Sequence, residues 1–244
     1  MIIVGNFKSY LSSKEDAEGV IKAAGKLKTK HKIILAPSFP HLGYVASKKM
    51  GVTLAAQDIS IFEGGAHTGE VSADVVSNVG AQYVIVGHSE RRAGGETNSI
   101  VATKVCQALG SKLKVVLCVG EVERDAHATY LSFIADEIVS ALKALKESDF
   151  KNIIIAYEPI WAIGKSSEEA ITSDDLEEMV LYIKKILREN FGEKLQKAVK
   201  VLYGGSVNAE NVQSLMVPGV DGFLPGRASS SKETLKELIA ALDA

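Results

Sequence analysis

Short apolar runs recur along the chain and alternate with segments that have the periodicity of amphipathic helices. Eight of these runs are rich in β-forming residues, and most are apolar throughout, which is typical of strands buried on both faces of a parallel sheet. They lie at residues 2–5, 33–36, 52–56, 83–87, 115–120, 153–157, 199–203 and 221–224. The pattern therefore predicts eight strands separated by helices.

The helical segments carry start signals. Ser13 is placed to cap the first helix, Thr172 opens a later one, and Ser230 with Glu233 has the spacing of a capping box before the last. A further short helix is expected near residues 209–216.

Strands that alternate with amphipathic helices indicate parallel βαβ units, and eight such units can close into a barrel. A doubly wound open sheet is the alternative, but no G-x-G-x-x-G motif follows the first strand. No linker or change of composition divides the 244 residues. We therefore expect an α/β protein that forms a single closed (β/α)8 barrel over residues 1–244.

The composition narrows the classes of function. The formal net charge is −2 with mixed signs, which argues against nucleic acid or an anionic membrane as a partner. No apolar run approaches the roughly 20 residues that span a membrane, and the apolar residues 1–5 are too short for a signal peptide. Cys106 and Cys118 suggest neither a disulfide framework nor a metal site, so we expect a cytoplasmic protein without a bound metal.

Residues capable of chemistry follow several strands at their carboxyl ends. Asn6 and Lys8 follow the first strand, His88 the fourth and Glu158 the sixth. In a closed barrel these ends form one rim, where barrel enzymes place their chemistry. A carboxylate held on a strand and followed by a loop, residues 159–164, is the layout of a general base under a lid that expels water.

The rim also carries a candidate phosphate site. Gly204, Gly205 and Ser206 follow the seventh strand, and Gly226 follows the eighth. Glycine lets backbone N–H groups approach an anion closely, and the loops after strands seven and eight commonly bind phosphate in barrel enzymes.

Each catalytic candidate has a structural interpretation when taken alone. Glu158 could cap the next helix, His88 could hold a loop through hydrogen bonds, and Lys8 could be a solvated surface lysine. Together they could act as a base, a group that polarises a carbonyl, and a cation for an anionic intermediate, with Asn6 as a donor to oxygen. The neighbouring Glu90, Arg91 and Arg92 are interpreted as a salt-bridge network that holds the rim loop.

Several motifs, in order along nearly the whole chain, resemble those of the triosephosphate isomerase family. They are Gly5-Asn6-Phe7-Lys8, residues 65–72 (Gly-Ala-His-Thr-Gly-Glu-Val-Ser), residues 87–92 (Gly-His-Ser-Glu-Arg-Arg), residues 118–121 (Cys-Val-Gly-Glu), residues 156–164 (Ala-Tyr-Glu-Pro-Ile-Trp-Ala-Ile-Gly), residues 203–206 (Tyr-Gly-Gly-Ser) and residues 221–224 (Asp-Gly-Phe-Leu). The resemblance implies a TIM barrel that interconverts dihydroxyacetone phosphate and D-glyceraldehyde 3-phosphate, in glycolysis and gluconeogenesis, with no cofactor or metal.

The resemblance also implies residue roles. Glu158 would move a proton between neighbouring carbons, His88 would act on the substrate oxygens, and Lys8 and Asn6 would stabilise the enediolate. Backbone N–H groups of four residues would hold the phosphate: Gly164, Ser206, Gly226 and Arg227. Family members are usually homodimers, and the loop at 61–72, with Thr68 at its tip, would be the arm that reaches the partner.

The chain departs from the family pattern at a few positions. Phe7 replaces a more usual tryptophan, Pro225 a valine and Arg227 a glycine. Arginine at 227 is acceptable only if its φ is negative. The lid continues past Gly164 as Lys-Ser-Ser-Glu-Glu-Ala, residues 165–170, which is about two residues longer than usual and lacks a tip glycine. We expect closure to survive, with its second hinge near residues 167–170.

Two further classes of function stay open at this point. Another phosphate-binding barrel, of the aldolase or indole-glycerol-phosphate type, would need different residues on the rim, and the matched region offers no strand-borne lysine for a Schiff base. A non-catalytic phosphate-binding barrel or scaffold protein is favoured only by the altered lid.

Overall fold

The computed structural model describes residues 1–164 and 171–244. The strands are β1 (Ile2–Asn6), β2 (Lys32–Ala36), β3 (Thr53–Ala56), β4 (Tyr83–Val86), β5 (Lys114–Val119), β6 (Ile153–Tyr157), β7 (Lys200–Tyr203) and β8 (Gly222–Phe223). The helices are α1 (Lys14–Ala24), α2 (Phe39–Ser47), α3 (Ala73–Val79), α4 (Ser89–Ala93), α5 (Asn98–Gly110), α6 (Thr129–Leu142), α7 (Ser173–Phe191), α8 (Glu193–Ala198) and α9 (Lys232–Asp243). Short 3₁₀ helices lie at Glu147–Asn152, Ile160–Ala162 and Arg227–Ser229.

All eight predicted strands are present, and each predicted end lies within one residue of the observed one. Each strand pairs in parallel with its neighbours in chain order, and β1 closes the circle by pairing with β8. The register Tyr157↔Tyr203 places the carboxyl ends of β6 and β7 level with each other. The predicted closed (β/α)8 barrel is confirmed, and the open-sheet alternative is wrong.

Two apolar cores explain why most strands are apolar at every position. The larger core lies between the barrel and its helices, and it includes Val86 and Leu117. The smaller core fills the barrel interior with alternate residues of the same strands, such as Ile85 and Val116. A strand with one face in each core needs apolar side chains on both faces.

Two of the three predicted helix caps agree with the structure, and the third is wrong by one residue. Ser13 and Thr172 cap α1 and α7 through their side chains. The cap of α9 is Ser231, not Ser230, because Ser231 is extended and accepts the N–H of Thr234. Ser230 instead ends the preceding 3₁₀ helix, with φ −93° and ψ 3°.

The prediction of a short helix near residues 209–216 is also wrong, because that segment forms successive turns. The Asn208 side chain accepts the N–H groups of Glu210 and Asn211, and Asn211 Oδ1 accepts the N–H of Asn208. Such side-chain bonds offer the backbone an alternative to a regular helix. In the ranges 1–164 and 171–244, no helix is both long enough and apolar enough to cross a membrane.

Candidate active site

The carboxyl ends of the strands surround one cavity of about 460 Å³. All eight residues predicted for the site line it: Asn6, Lys8, His88, Glu158, Gly164, Ser206, Gly226 and Arg227. They lie at the end of β1 or in the segments after β1, β4, β6, β7 and β8, which are far apart in sequence. Closure of the barrel is therefore what brings them together.

Glu158 lies directly after β6 and is almost completely buried. Its backbone N–H donates to the Val119 carbonyl at 2.8 Å, which ties it to the end of β5. One carboxylate oxygen accepts the N–H of Ser89 at 3.0 Å, and the other lies 3.3 Å from His88 Nε2. The strand thus fixes the backbone of Glu158, while Ser89 and His88 hold its carboxylate.

His88 is the N-cap residue of α4, and this role defines its protonation. Its Nδ1 accepts the N–H of Glu90 at 3.2 Å, so Nδ1 carries no proton in this geometry. The remaining ring proton is therefore assigned to Nε2, which faces Glu158. A neutral imidazole with its N–H directed into the cavity can donate to a substrate oxygen.

Lys8 is not the solvated surface lysine that it resembles in sequence. Its φ is +44°, which is rare for a residue other than glycine, and Asn6 Oδ1 accepts its N–H at 3.0 Å. Its ammonium contacts Glu90 Oε1 at 2.7 Å, beside the cavity. Asn6 therefore shapes the turn that directs Lys8 into the site.

The rim charges form ion pairs in the described residues, but in separate groups. Glu90 pairs with Lys8, and Arg92 pairs with Glu137 of α6. Arg91 contacts Asp58 and Glu96, which share a buried lysine, Lys104. Each of the three predicted charges is therefore paired in the described residues, but with residues outside 87–92, so the three do not form the single network that was predicted.

The residues predicted to bind phosphate line the same cavity. Gly226 lies so close to Lys8 that an added Cβ would be 3.4 Å from Lys8 Cε. Arg227 begins the 3₁₀ helix Arg227–Ser229 and is absent from the residues with positive φ, so arginine fits there without strain. The N–H of Gly164 donates to Ser206 Oγ at 3.1 Å. The lid residues beyond it, 165–170, and the predicted hinge near 167–170 lie outside the described residues.

Glu121 has a role that the sequence did not reveal. One of its carboxylate oxygens accepts from Tyr157 Oη at 2.9 Å, Trp161 Nε1 at 2.8 Å and Arg124 Nε at 3.0 Å. Burial, and then the charge of Glu121, raise the pKa of Tyr157 well above its usual value. Trp161 follows Glu158 by three positions, so Glu121 anchors the start of the loop after the candidate base. The motif at residues 118–121 marked Glu121 without giving it a role, and the chain's single tryptophan was a second signal, because an indole N–H that is buried needs an acceptor.

The loop at 61–72 projects from the barrel. Its residues from Phe62 to Glu70 are exposed, and the N–H of Ser60 closes its base by donating to the Val71 carbonyl at 2.8 Å. The rings of Phe62 and His67 stack with centroids 3.5 Å apart. Thr68 lies in this exposed part.

The fold and the site define a (β/α)8-barrel protein with a carboxylate and an imidazole in contact at the carboxyl ends of its strands. A family profile described as Triosephosphate isomerase matches residues 1–242. The chain therefore belongs to the triosephosphate isomerase family.

Curated relatives named Triosephosphate isomerase agree with this assignment. The protein of Porphyromonas gingivalis is 39% identical, and the match covers 98% of each chain. That of Flavobacterium johnsoniae is 34% identical, covering 99% of this chain and 98% of the relative. That of Zygosaccharomyces bailii is 38% identical, covering 94% and 93%. These comparisons give no support to the alternative of a non-catalytic barrel.

Proposed function

We propose that this protein is a triose-phosphate isomerase that interconverts dihydroxyacetone phosphate and D-glyceraldehyde 3-phosphate, in glycolysis and gluconeogenesis. Proton transfer would pass through an enediolate. The observation that carries the proposal is the contact of 3.3 Å between Glu158 Oε1 and His88 Nε2 inside a cavity that Lys8 and Asn6 also line. Groups this close can act on neighbouring carbon and oxygen atoms of one three-carbon molecule.

Glu158 is the proposed base. It removes a carbon-bound proton and returns it to the neighbouring carbon. The contact with His88 leaves no space for substrate between the two side chains. The carboxylate must therefore leave the Ser89 N–H and swing onto the substrate, while the strand end keeps its backbone in place.

His88 is the proposed electrophile. Its Nε2–H donates to the substrate oxygen that gains negative charge as the carbon-bound proton leaves. Because Glu90 N–H occupies Nδ1, the ring keeps its orientation and its proton stays on the side of the substrate. A pre-oriented donor of this kind needs no rearrangement at the moment of reaction.

Lys8 and Asn6 are the proposed sources of charge stabilisation. The ammonium of Lys8 supplies positive charge for the enediolate and for the substrate dianion, and Glu90 holds it at the cavity wall. Asn6 contributes its amide and keeps Lys8 in its left-handed conformation.

The phosphate is proposed to bind to the backbone N–H groups of Gly164, Ser206, Gly226 and Arg227. The N–H of Gly164 is engaged by Ser206 Oγ, so phosphate binding would exchange one acceptor for another. Binding energy from this end of the substrate can contribute to closure of the lid. The behaviour of residues 165–170 stays a prediction.

Neither a cofactor nor a metal is expected, because the proton transfer needs no electron acceptor and the Lys8 ammonium with the His88 N–H can stabilise the charge of the enediolate. Among the described residues, no group of three histidine, cysteine or acidic side chains is arranged to hold a metal ion. We place this single catalytic domain, residues 1–244, in the cytoplasm, where the free thiols Cys106 and Cys118 stay reduced.

A homodimer is proposed through the loop at 61–72. The exposed Phe62 and Thr68 project with this loop, and Val75 and Val79 of the following helix are also exposed apolar residues. A second copy of the chain would cover these residues.

A coupled isomerase assay on wild type and Glu158→Gln tests the proposal. Removing a general base costs about 10²–10⁴-fold, so kcat should fall by at least 100-fold while KM changes little. Glu177→Gln, on the exterior helix α7, is the matched control and should keep full activity. Wild-type protein without isomerase activity, or an active Glu158→Gln variant, would refute the proposal.

A further inference from the structure

Behind the contact of His88 with Glu158 lies a buried pair of opposite charges that the proposed mechanism does not use. Arg92 Nη1 is 3.1 Å from Glu137 Oε1, and the two side chains are 13% and 1% exposed. Oε1 makes no aligned hydrogen bond within the described residues, although Arg92 is beside it. A buried pair with incomplete hydrogen bonding is a poor source of stability, so stability does not account for these two charges.

Arg92 connects the backbone of two strand ends. Its Nε donates to the carbonyl of Gly87, the residue before His88, at 2.9 Å. Its Nη2 reaches the carbonyl of Cys118 near the end of β5 at 3.4 Å, and Asn98 Oδ1 accepts from Nη1 at 2.8 Å. The planar guanidinium therefore spans the strand that delivers His88 and the strand beside Glu158.

Glu137 supports the backbone beside Glu158. Its Oε2 accepts the N–H of Gly120 at 2.9 Å. Gly120 is pressed against Glu158, because an added Cβ at Gly120 would lie 1.8 Å from the Glu158 carbonyl oxygen. The N–H of Glu158 also donates to Val119, the residue before Gly120. Glu137 therefore holds the backbone segment on which Glu158 is seated.

We propose that Arg92 and Glu137 are positioning residues, which together fix the separation between the His88 ring and the Glu158 carboxylate. The inference rests on the proposed function, because it assigns the pair a role in that reaction. Catalytic groups must be held within about 0.5 Å of their productive positions, and side chains behind the site provide that support.

The charge state of Glu137 makes kcat depend on pH if the residue positions the site, whereas a purely structural role would leave that pH dependence unchanged. Burial raises the pKa of Glu137 to about 7, and the nearby carboxylates Glu158 and Glu121 add to this, whereas Arg92 and the Gly120 N–H oppose it. The adjacent Cys118 thiol stays neutral, because burial raises its pKa. Protonation of Glu137 weakens its attraction to Arg92, and Glu137→Gln imitates the protonated form.

The test compares wild type, Glu137→Gln and Arg92→Lys in the coupled isomerase assay at pH 5.5 and pH 8.5. At pH 8.5 we expect kcat of Glu137→Gln to be about tenfold below wild type, with KM within about twofold, because the phosphate end is untouched. At pH 5.5 the difference in kcat between wild type and Glu137→Gln, the gap, should shrink to about twofold. Taking the ratio of variant to wild type at each pH cancels titration of the substrate.

Two controls separate positioning from stability. Ile138→Val, at the next position of α6, removes one buried methylene and none of the pair's polar groups. It should lower the melting temperature while leaving kcat and its pH profile unchanged. Arg92→Lys keeps the charge but loses the fork that bridges two carbonyls, so it should lower kcat even if Glu137→Gln folds poorly.

A double variant completes the test. Arg92→Gln combined with Glu137→Gln should lose less activity than the product of the single losses, because neither charge is left unpaired. The proposal is overturned if Glu137→Gln and Arg92→Lys keep kcat within twofold of wild type at pH 8.5, or if the gap is equal at both pH values. Inactive wild-type protein would instead refute the isomerase function, and this inference with it.

Discussion

Gly204 forms the wall behind the Glu158 side chain, so the smallest enlargement of that wall tests how tightly the base is held. An added Cβ at Gly204 would lie 2.8 Å from Glu158 Cγ and 3.4 Å from the Tyr157 carbonyl oxygen. Gly204 is not among the glycines with positive φ, so alanine brings no backbone strain. The effect of Gly204→Ala is therefore steric and falls on Glu158.

The displacement can be estimated from this distance. Carbon atoms in contact settle at about 3.5 Å, so Glu158 Cγ must move by about 0.7 Å. Misplacing a reacting group by about 1 Å can cost about 100-fold in rate. We therefore expect kcat of Gly204→Ala to fall by about 10- to 100-fold, or about 1.4–2.7 kcal/mol. Overpacking should also lower the free energy of unfolding by about 1–3 kcal/mol.

Steady-state kinetics and urea denaturation measure the two effects separately. Gly19→Ala in α1 is the matched control, because its nearest neighbour, Lys232 Cδ, would be 3.9 Å from the new Cβ. That variant should keep wild-type kcat and gain stability from the helix propensity of alanine. If Gly204→Ala kept more than half of the wild-type kcat, the position of Glu158 would not depend on this wall.

Four further predictions follow from single contacts. Arg227→Gly should change KM for the phosphorylated substrate by less than about tenfold, because the proposed contact is the backbone N–H; a larger change in steady-state KM would show that the guanidinium binds substrate. Trp161→Phe removes one donor to buried Glu121 and should lower the free energy of unfolding by about 1–3 kcal/mol in urea, whereas an unchanged midpoint would mean the bond contributes nothing. Thr68→Arg should yield a monomer with little activity, and a fully active monomer in analytical ultracentrifugation would contradict the proposed dimer. The pKa of Glu137 is raised from 4.5 to about 7, so between these pH values the native state holds a proton that the unfolded state releases. Wild type should therefore lose about 3 kcal/mol of stability relative to Glu137→Gln as the pH rises from about 4.5 through 7. Parallel curves of stability against pH for the two proteins would show that Glu137 does not titrate in this range.

The strands and the site residues could be predicted because each depends on local pattern and chain order. The composition of an apolar segment such as Ile153–Tyr157 predicts a strand, and the residue after that strand lies at the rim of any closed barrel. The proximity of Glu158 and His88 could therefore be predicted without any knowledge of side-chain contacts. The resemblance supplied their roles, and barrel closure explains their proximity.

The features that escaped prediction depend on contacts between distant segments or on competing local bonds. Glu121 looks like a strand-end acid until Tyr157 and Trp161 are seen to donate to it. Glu137 looks like one more helical glutamate until α6 is packed behind β5. The shift of the α9 cap to Ser231 shows a different limit, because two adjacent serines offer equal chemistry and only the preceding 3₁₀ turn decides between them.

The turn between Asn6 and Lys8 makes these two positions interdependent. Lys8 tolerates its unusual φ because an amide oxygen two residues earlier accepts its N–H. Replacing Asn6 would therefore change where an untouched ammonium points, and deep mutational scanning should record strong epistasis between the two sites. Engineers who diversify this barrel for other anionic substrates should randomise both positions in a single library.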